Sequence, residues 1–209
     1  MALDPQAIAA NLARIRERVG PAVEVLAATK YVEAGDLPAL SEGGVTLVGE
    51  NRSDALEAKQ EAHGELFTWD FIGHLQSRKV RQILPYVRYV ETVASESALE
   101  QLRRHGTPST QVLVEVNMAG EEGKSGIAPE ELPPFLERCP VKVVGLMTMP
   151  PLAPEPEASR RHFAALRELA AEHELPQLSM GTSQDYLVAI QEGATIVRLG
   201  SSLYRASAS

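Results

Sequence analysis

The sequence contains five lysines, and one of them stands where amine chemistry would be expected. Lys30 directly follows the apolar segment 23–29, whose β-branched composition predicts a strand. In an α/β barrel the carboxyl ends of the strands face the active site. A lysine in an apolar cavity has a lowered pKa, which makes its amine a nucleophile towards aldehydes. Lys30 is therefore a candidate for Schiff-base chemistry, and the alternative is an exposed lysine paired with a carboxylate.

Two turns rich in glycine and serine could bind a phosphate. One follows Ser179 and contains Thr182 and Ser183, and the other begins at Gly200 and Ser201. Barrels often bind phosphate with the loops after strands seven and eight, where glycine allows close backbone approach and hydroxyl and N–H groups act as donors. The two turns are interpreted as the halves of a phosphate site. The alternative is two ordinary surface turns.

Three further polar side chains follow or interrupt predicted strands. Arg198 lies within the otherwise apolar segment 195–199, and a guanidinium inside a barrel needs a ligand atom or a carboxylate as its partner. Asn51 and His74 stand at the ends of the second and third strands. For His74, a hydrogen bond to a backbone carbonyl is favoured over acid–base catalysis. The five histidines lack paired metal-ligand spacing, so no metal site is predicted.

The other lysines suggest less specific roles. Lys124 lies in the Gly-Lys-Ser-Gly segment 123–126, which is either a plain turn or a second electropositive loop at the same end of the barrel. Lys59 and Lys142 are interpreted as surface charges.

The elements that must position these residues alternate along the chain. Eight strands are predicted at 23–29, 45–48, 69–72, 87–93, 112–116, 141–146, 177–180 and 195–199. An amphipathic helix at 3–19 precedes them, and further helices are predicted at 34–42, 52–63, 77–84, 96–105, 129–138, 156–173 and 184–192. This alternation predicts an α/β fold with parallel strands, namely a single (β/α)8 TIM-like barrel domain over residues 1–209. A doubly wound open sheet is the alternative.

Composition limits the classes of partner and compartment. The 209 residues carry a formal net charge of −8, which argues against nucleic acid as the main partner. The single Cys139 has no internal disulfide partner, so a reducing compartment is expected. No apolar segment approaches the roughly 20 residues of a membrane span. We therefore expect a cytoplasmic, monomeric protein without a membrane partner.

Seven segments, in the same order, resemble the YggS/PROSC family of pyridoxal-phosphate-binding, or pyridoxal 5′-phosphate (PLP) homeostasis, proteins. The segments are 28–30, 48–52, 71–77, 123–126, 145–147, 179–185 and 197–200. The resemblance implies the fold of the alanine racemase N-terminal domain, the fold type III arrangement of PLP proteins. Three positions depart from the family pattern: Asp70, Thr182 and the Tyr204-Arg205 pair.

Carried onto this sequence, the resemblance implies PLP as the cofactor and Lys30 as the residue that forms the internal aldimine. The phosphate would be held by residues of the two turns: Ser179, Gly200 and Ser201, with Thr182 and Ser183 nearby. Arg198 would face the pyridine nitrogen, which would leave the ring a weak electron sink because arginine does not give up its proton. The other side of the cofactor would be lined by Asn51, His74 and Lys124.

The implied function is intracellular vitamin B6 homeostasis with little or no turnover, with PLP-dependent apo-enzymes as candidate partners. Racemases need a second acid–base group on the opposite face of the cofactor, which a C-terminal domain supplies in alanine racemase. The sequence ends at Ser209, so that domain is not expected. One alternative is a PLP-dependent amino-acid racemase or lyase. Another is a Schiff-base aldolase that acts on a sugar phosphate.

Overall fold

Eight parallel strands close into a barrel. The computed structural model describes residues 3–121 and 123–204. Its strands pair in sequence order, and the last strand pairs back to the first. The strands are β1 (Glu24–Ala28), β2 (Leu47–Glu50), β3 (Thr68–Phe71), β4 (Tyr89–Val93), β5 (Gln111–Glu115), β6 (Lys142–Met147), β7 (Gln177–Thr182) and β8 (Ile196–Leu199). The predicted barrel is confirmed, and the alternative of an open sheet is wrong.

Helices surround the barrel. The α-helices are α1 (Pro5–Val19), α2 (Leu37–Glu42), α3 (Ser53–His63), α4 (Val80–Ile83), α5 (Glu96–His105), α6 (Leu132–Arg138), α7 (Arg160–Glu172), α8 (Tyr186–Gln191) and α9 (Ser201–Tyr204). Short 3-10 turns lie at Ala34–Asp36, Gly64–Leu66, Ser77–Lys79, Leu84–Tyr86, Pro129–Glu131 and Pro156–Ser159. Several predicted helices are therefore shorter than expected, because their first turn is 3-10 rather than α-helical.

The barrel interior is apolar in its middle and polar towards the carboxyl end. Successive strand residues point to opposite faces of the sheet. Leu26, Leu47 and Ile196 pack together inside the barrel, whereas residues next to them in sequence pack in the larger cluster under the helices. Beyond the inner apolar layer lie four buried polar side chains: Glu91, Glu115, Ser179 and Arg198. Such groups need partners, because an unpaired buried charge is costly.

Two negative findings apply to the described part of the chain. Within residues 3–121 and 123–204, no helix is long and apolar enough to cross a membrane. The same residues contain no group of three His, Cys, Asp or Glu side chains that could hold a metal ion.

The β6–β7 contact gives a test of the barrel packing. A Cβ atom on Gly145 would lie 2.1 Å from the backbone oxygen of Gln177, so Gly145→Ala should force the two strands apart. We expect a loss of about 1–3 kcal/mol or more in the free energy of unfolding, measured by urea denaturation. The matched control is Gly35→Ala, because a Cβ there meets nothing within 4 Å. Equal stability of the two variants would contradict this strand packing.

Candidate functional site

Closure of the barrel places the ends of β1 and β8 side by side. Ala27 pairs with Leu199 in the β1–β8 ladder, and a Cβ on Gly200 would lie 4.0 Å from that of Ala28. Lys30 follows Ala28 by two residues, so it leaves the sheet beside the turn that begins at Gly200. The predicted amine and one of the predicted phosphate-binding turns therefore share one rim of the barrel.

Lys30 is exposed at this rim rather than enclosed in an apolar cavity. Its ammonium lies 4.6 Å from the centroid of the Tyr31 ring, a cation–π distance. Among the described residues, no carboxylate forms a salt bridge with Lys30, so the alternative of a paired surface lysine is not observed. Tyr31 is itself 86% exposed, and the amine is therefore accessible to a ligand.

The two predicted turns lie in contact. The Ser183 hydroxyl oxygen accepts hydrogen bonds from the backbone N–H groups of Gly200 and Ser202, each at 3.2 Å. The hydroxyl oxygens of Ser183 and Ser202 lie 2.9 Å apart. We call Ser183, Gly200, Ser201 and Ser202 the serine cup. It gathers hydroxyl and N–H groups at the end of β7 and at the first turn of α9.

Thr182 belongs to the same turn, but its polar groups point elsewhere. Its backbone N–H and its hydroxyl both donate to Asp185 Oδ1, at 2.8 and 3.0 Å. Asp185 also accepts a hydrogen bond from Ser159 at 2.8 Å. The polar groups of Thr182 therefore stabilise the turn that leads into α8.

Ser179 lies inside the barrel rather than in the serine cup. Its hydroxyl donates to Glu91 Oε2 at 2.5 Å and accepts from the Arg198 guanidinium at 2.6 Å. The physical reason is strand alternation, because Leu178 and Met180 pack in the outer cluster and the residue between them must point inward. The Ser179 hydroxyl therefore faces Glu91 and Arg198 rather than the serine cup, and its assignment as a phosphate ligand stays a prediction.

Arg198 is held by neutral acceptors. Its side chain is buried, and besides the Ser179 hydroxyl it donates to the carbonyl oxygen of Thr148 at 2.9 Å. Burial lowers the pKa of Arg198, whereas the negative charges of Glu91, Glu115 and Asp185 act in the opposite direction. Among the described residues no carboxylate contacts this guanidinium directly, so the alternative of a barrel-end ion pair is not observed. The Ser179 hydroxyl instead links Arg198 to the Glu91 carboxyl group.

Glu91 is the buried acid that the Ser179 hydroxyl links to Arg198. Burial raises its pKa to about 7, with the Asp70 charge adding to the effect, whereas Arg198 and the Ser179 hydrogen bond act in the opposite direction. Oε2 accepts from Ser179, and Oε1 has no hydrogen-bond partner among the described residues. Glu91 was not predicted as a site residue, although its place inside an apolar strand was a usable signal.

The opposite side of the barrel mouth contains Asn51 and His74. The His74 Nδ1 atom lies 3.3 Å from the Ser125 hydroxyl, so the prediction of a hydrogen bond to a backbone carbonyl is wrong, because the ring stays exposed in the mouth. This contact also brings the loop at 123–126 to the same mouth. The Asn51 side-chain oxygen is buried without a hydrogen-bond partner among the described residues.

The loops after β2 and β3 are in close backbone contact. A Cβ on Gly73 would lie 1.8 Å from the backbone oxygen of Asn51, so glycine is required there. The carbonyl of Gly73 accepts a hydrogen bond from Thr92 at 2.6 Å. In the neighbouring loop, Lys124 forms an exposed ion pair with Glu121.

A buried ion pair that was not predicted from the sequence fixes the end of β1. Lys59 pairs with Glu50 and donates to the carbonyl oxygen of Thr29 at 2.8 Å. Glu50 also accepts from the Thr29 hydroxyl at 3.0 Å and from the Asn51 N–H at 2.6 Å. The prediction that Lys59 is a surface charge is wrong, because Lys59 lies one turn after Leu56 on the buried face of α3.

Tyr204 secures the same strand end from α9. Its hydroxyl donates to the carbonyl oxygen of Ala28 at 3.1 Å. Burial raises the pKa of Tyr204, and the Glu50 carboxylate adds to the effect. The carbonyl groups of Ala28 and Thr29, which directly precede Lys30, are therefore held by side chains from α9 and α3. The adjoining Arg205 lies outside the described residues.

Asp70, the first departure from the family pattern, lies at the amino-terminal half of the barrel. It is buried and accepts two hydrogen bonds from Arg88, at 2.6 and 3.1 Å. Arg88 also pairs with Glu24, the first residue of β1, at 2.7 Å. These residues form an ion cluster there, and the Asp70 charge also contributes to raising the pKa of the buried Glu91.

Removing one partner of the Glu50–Lys59 pair should destabilise the protein. Lys59→Met leaves the buried Glu50 carboxylate without its cation, and we expect a loss of about 3–5 kcal/mol in the free energy of unfolding. The double variant Lys59→Met/Glu50→Gln removes both charges and should recover part of that loss in urea denaturation. The control is Lys142→Met on an exposed side chain. Equal losses for Lys59→Met and Lys142→Met would contradict the buried pair.

The buried Glu91 predicts a pH dependence of stability. Because burial raises its pKa to about 7, the folded protein retains a proton that the unfolded chain releases, and stability decreases as pH rises from the ordinary carboxyl pKa towards 7. Glu91→Gln cannot titrate, so its stability relative to wild type should increase from about pH 5 to about pH 8. Urea denaturation at several pH values measures this difference. A constant difference would contradict a titrating buried Glu91.

Comparison with known proteins identifies the family. The family model of the alanine racemase N-terminal domain matches residues 3–208. A pyridoxal phosphate homeostasis protein of Aquifex aeolicus is 37% identical, with 93% of this chain and 96% of that protein covered. One of Pseudomonas aeruginosa is 35% identical, with 95% of each covered.

Solved structures agree with the sequence comparison. PipY of Synechococcus elongatus, with PLP bound, superposes with a TM-score of 0.85 at 30% identity, covering 95% of this chain and all of that one (100%). Alanine racemase of Corynebacterium glutamicum superposes with a TM-score of 0.76 at 16% identity, covering 97% of this chain and 61% of the racemase. The latter supports the fold alone. The chain therefore belongs to the YggS/PROSC family of pyridoxal phosphate homeostasis proteins, built on the barrel of the alanine racemase N-terminal domain.

Proposed function

We propose that this protein binds PLP through Lys30 as a Schiff base and serves vitamin B6 homeostasis with little or no turnover. The observation that carries the proposal is the joining of β1 to β8, which sets an accessible amine beside the serine cup. The buried guanidinium of Arg198 belongs to β8, two residues before Gly200 of that cup. An amine, phosphate donors and a cation are the groups that a phosphorylated pyridine aldehyde requires.

The donor set supports the fit of the phosphate. Ser183, Ser201 and Ser202 supply hydroxyls, and Gly200 allows close approach of its backbone. The N–H groups of Gly200 and Ser202 converge on the Ser183 hydroxyl oxygen, and a phosphate oxygen would accept from the same donors. We therefore propose the serine cup, with Thr182 as its outer wall, as the phosphate-binding part of the site.

Asn51 and His74 would line the opposite side of the cofactor. The Asn51 side-chain oxygen is buried and has no hydrogen-bond partner among the described residues, which makes it available to a donor on the ligand. His74 is exposed in the same mouth. PLP supplies the aldehyde, and the neutral Lys30 amine would condense with it to form a C=N bond and release one water molecule.

The relatives support the same ligand. The structure of PipY contains bound PLP, and the relatives from Aquifex aeolicus and Pseudomonas aeruginosa are named pyridoxal phosphate homeostasis proteins. As part of the same proposal, the protein is a single PLP-binding domain that acts as a cytoplasmic monomer and delivers PLP to apo-enzymes.

Low turnover is proposed from the groups around the site. Arg198 would face the ring nitrogen and leave it unprotonated, which weakens the ring as an electron sink. The Tyr204 hydroxyl is bonded to the Ala28 carbonyl, and burial raises its pKa, so it is poorly suited to exchange protons near neutral pH. Tyr31 is largely exposed and stacks on Lys30 itself.

A PLP-dependent racemase or lyase is the second candidate, because the family model of the alanine racemase N-terminal domain matches residues 3–208 and such an enzyme would use the same Schiff base. Incubation with L-amino acids in heavy water separates the two functions. Rapid deuterium incorporation at Cα with turnover would support the enzyme, whereas slow exchange without turnover would support the homeostasis function.

The proposed function predicts a spectral change that depends on one lysine. Adding PLP to the purified wild-type protein should produce the yellow absorbance of a protonated Schiff base. Lys30→Ala should lose this absorbance while circular dichroism shows an unchanged fold, since Lys30 is exposed and forms no salt bridge with the described residues. The control Lys142→Ala removes another exposed lysine and should keep the absorbance. A colourless wild-type protein, or an unchanged spectrum in Lys30→Ala, would contradict the proposal.

A further inference from the structure

We propose that Glu91 is a positioning residue for the PLP ring, acting through the Ser179 hydroxyl on the Arg198 guanidinium. The inference rests on the proposed PLP site and extends it into the barrel interior. It assigns a role to a carboxyl group that the phosphate site and the Schiff base do not use. The group is buried completely within β4, on the opposite side of the barrel from β8.

The geometry fixes the direction of each hydrogen bond. A serine hydroxyl has one proton and two lone pairs. Because the Ser179 proton is donated to Glu91 at 2.5 Å, the lone pairs remain for Arg198, whose NH1 group lies 2.6 Å away. If Glu91 were absent, the hydroxyl could rotate and lose this orientation. The carboxyl group therefore determines which way the hydroxyl points.

Arg198 is then held on two sides. One terminal nitrogen donates to Ser179, and the other donates to the Thr148 carbonyl at 2.9 Å. A guanidinium has five N–H donors in a rigid plane, so two anchors fix the direction of the remaining donors. A guanidinium held in this way presents an N–H group to a ligand atom without first losing side-chain freedom.

The charges around Glu91 should make its positioning of Arg198 depend on pH. The charged groups that face Glu91 are Asp70 on β3, Arg88 before β4 and Arg198 on β8, and Glu115 on β5 also faces Arg198. Ionised Glu91 balances the buried Arg198 through the hydroxyl, whereas neutral Glu91 leaves Glu115 and Asp185 as the remaining counter-charges. The positioning should therefore be strongest where Glu91 is ionised, above about pH 7.

The test compares PLP dissociation constants of wild type and Glu91→Gln, measured from absorbance titrations between about pH 6 and pH 8.5. Their ratio cancels the titration of PLP, which is common to both measurements. At the acidic end Glu91 and Gln are both neutral, so the ratio should be close to one. At the alkaline end we expect Glu91→Gln to bind PLP about fivefold more weakly, a change of the size expected for a hydrogen bond to a charged group.

Ser179→Ala is the second variant, because it breaks the connection without changing a charge. It should weaken PLP binding about tenfold across the whole pH range and shift the absorbance maximum. Glu137→Gln, an exposed side chain on α6, is the matched control and should follow wild type. Circular dichroism of each variant shows whether it is folded.

Each outcome decides a separate question. A ratio that stays at one, or tighter binding by Glu91→Gln at alkaline pH, overturns the positioning role. Wild-type binding in Ser179→Ala overturns it as well. If wild type binds no PLP at any pH, the proposed function fails and this inference fails with it, whereas PLP binding with a flat ratio rejects the inference alone.

Discussion

Pairing of β8 with β1 is the constraint on which the site depends. The chain has 209 residues, and Lys30 and Gly200 lie near its opposite ends. Only closure of the sheet makes them neighbours, with Ala27 opposite Leu199 in the last ladder. The same closure sets the turns after β7 and β8 in contact, where the Ser183 hydroxyl binds the N–H groups of Gly200 and Ser202. The barrel thus assembles amine and anion donors without any contact being local in sequence.

The closed barrel also creates buried charge, and two of the places where the chain compensates it adjoin the proposed site. Where β2 meets α3, Lys59 neutralises Glu50 and holds the carbonyl of Thr29, directly before Lys30. Inside the strands, Glu91 and Arg198 share the Ser179 hydroxyl. A buried pair contributes little net stability but fixes geometry. In this protein both sets of contacts fix the backbone or side chain next to a proposed cofactor-binding residue, and we interpret their buried charges as serving position rather than net stability.

The sequence was enough to predict the order of strands and helices, because alternating β-branched and amphipathic segments admit few topologies. It also placed Lys30, Arg198 and the serine-containing turns at one end of the barrel. It could not predict which polar groups bond to each other. The family resemblance assigned Ser179 to the phosphate, whereas strand alternation turns its hydroxyl inward to Glu91 and Arg198. Lys59 was assigned to the surface by its charge, whereas its spacing from Leu56 decided its burial. The burial of Lys59 follows from that local spacing and was predictable, whereas the hydrogen bond of Ser179 to Glu91 joins segments 88 residues apart, which composition does not encode.

The claim that Lys30, and no other lysine, bears the cofactor is tested most directly by trapping. The PLP-loaded protein is reduced with borohydride, which converts a Schiff base into a stable secondary amine, and is then digested and sequenced by mass spectrometry. We expect a phosphopyridoxyl group on Lys30 in nearly all molecules, with Lys59 unlabelled because it is buried against Glu50. Predominant labelling of Lys124 or Lys142, or no labelled lysine at all, would contradict it.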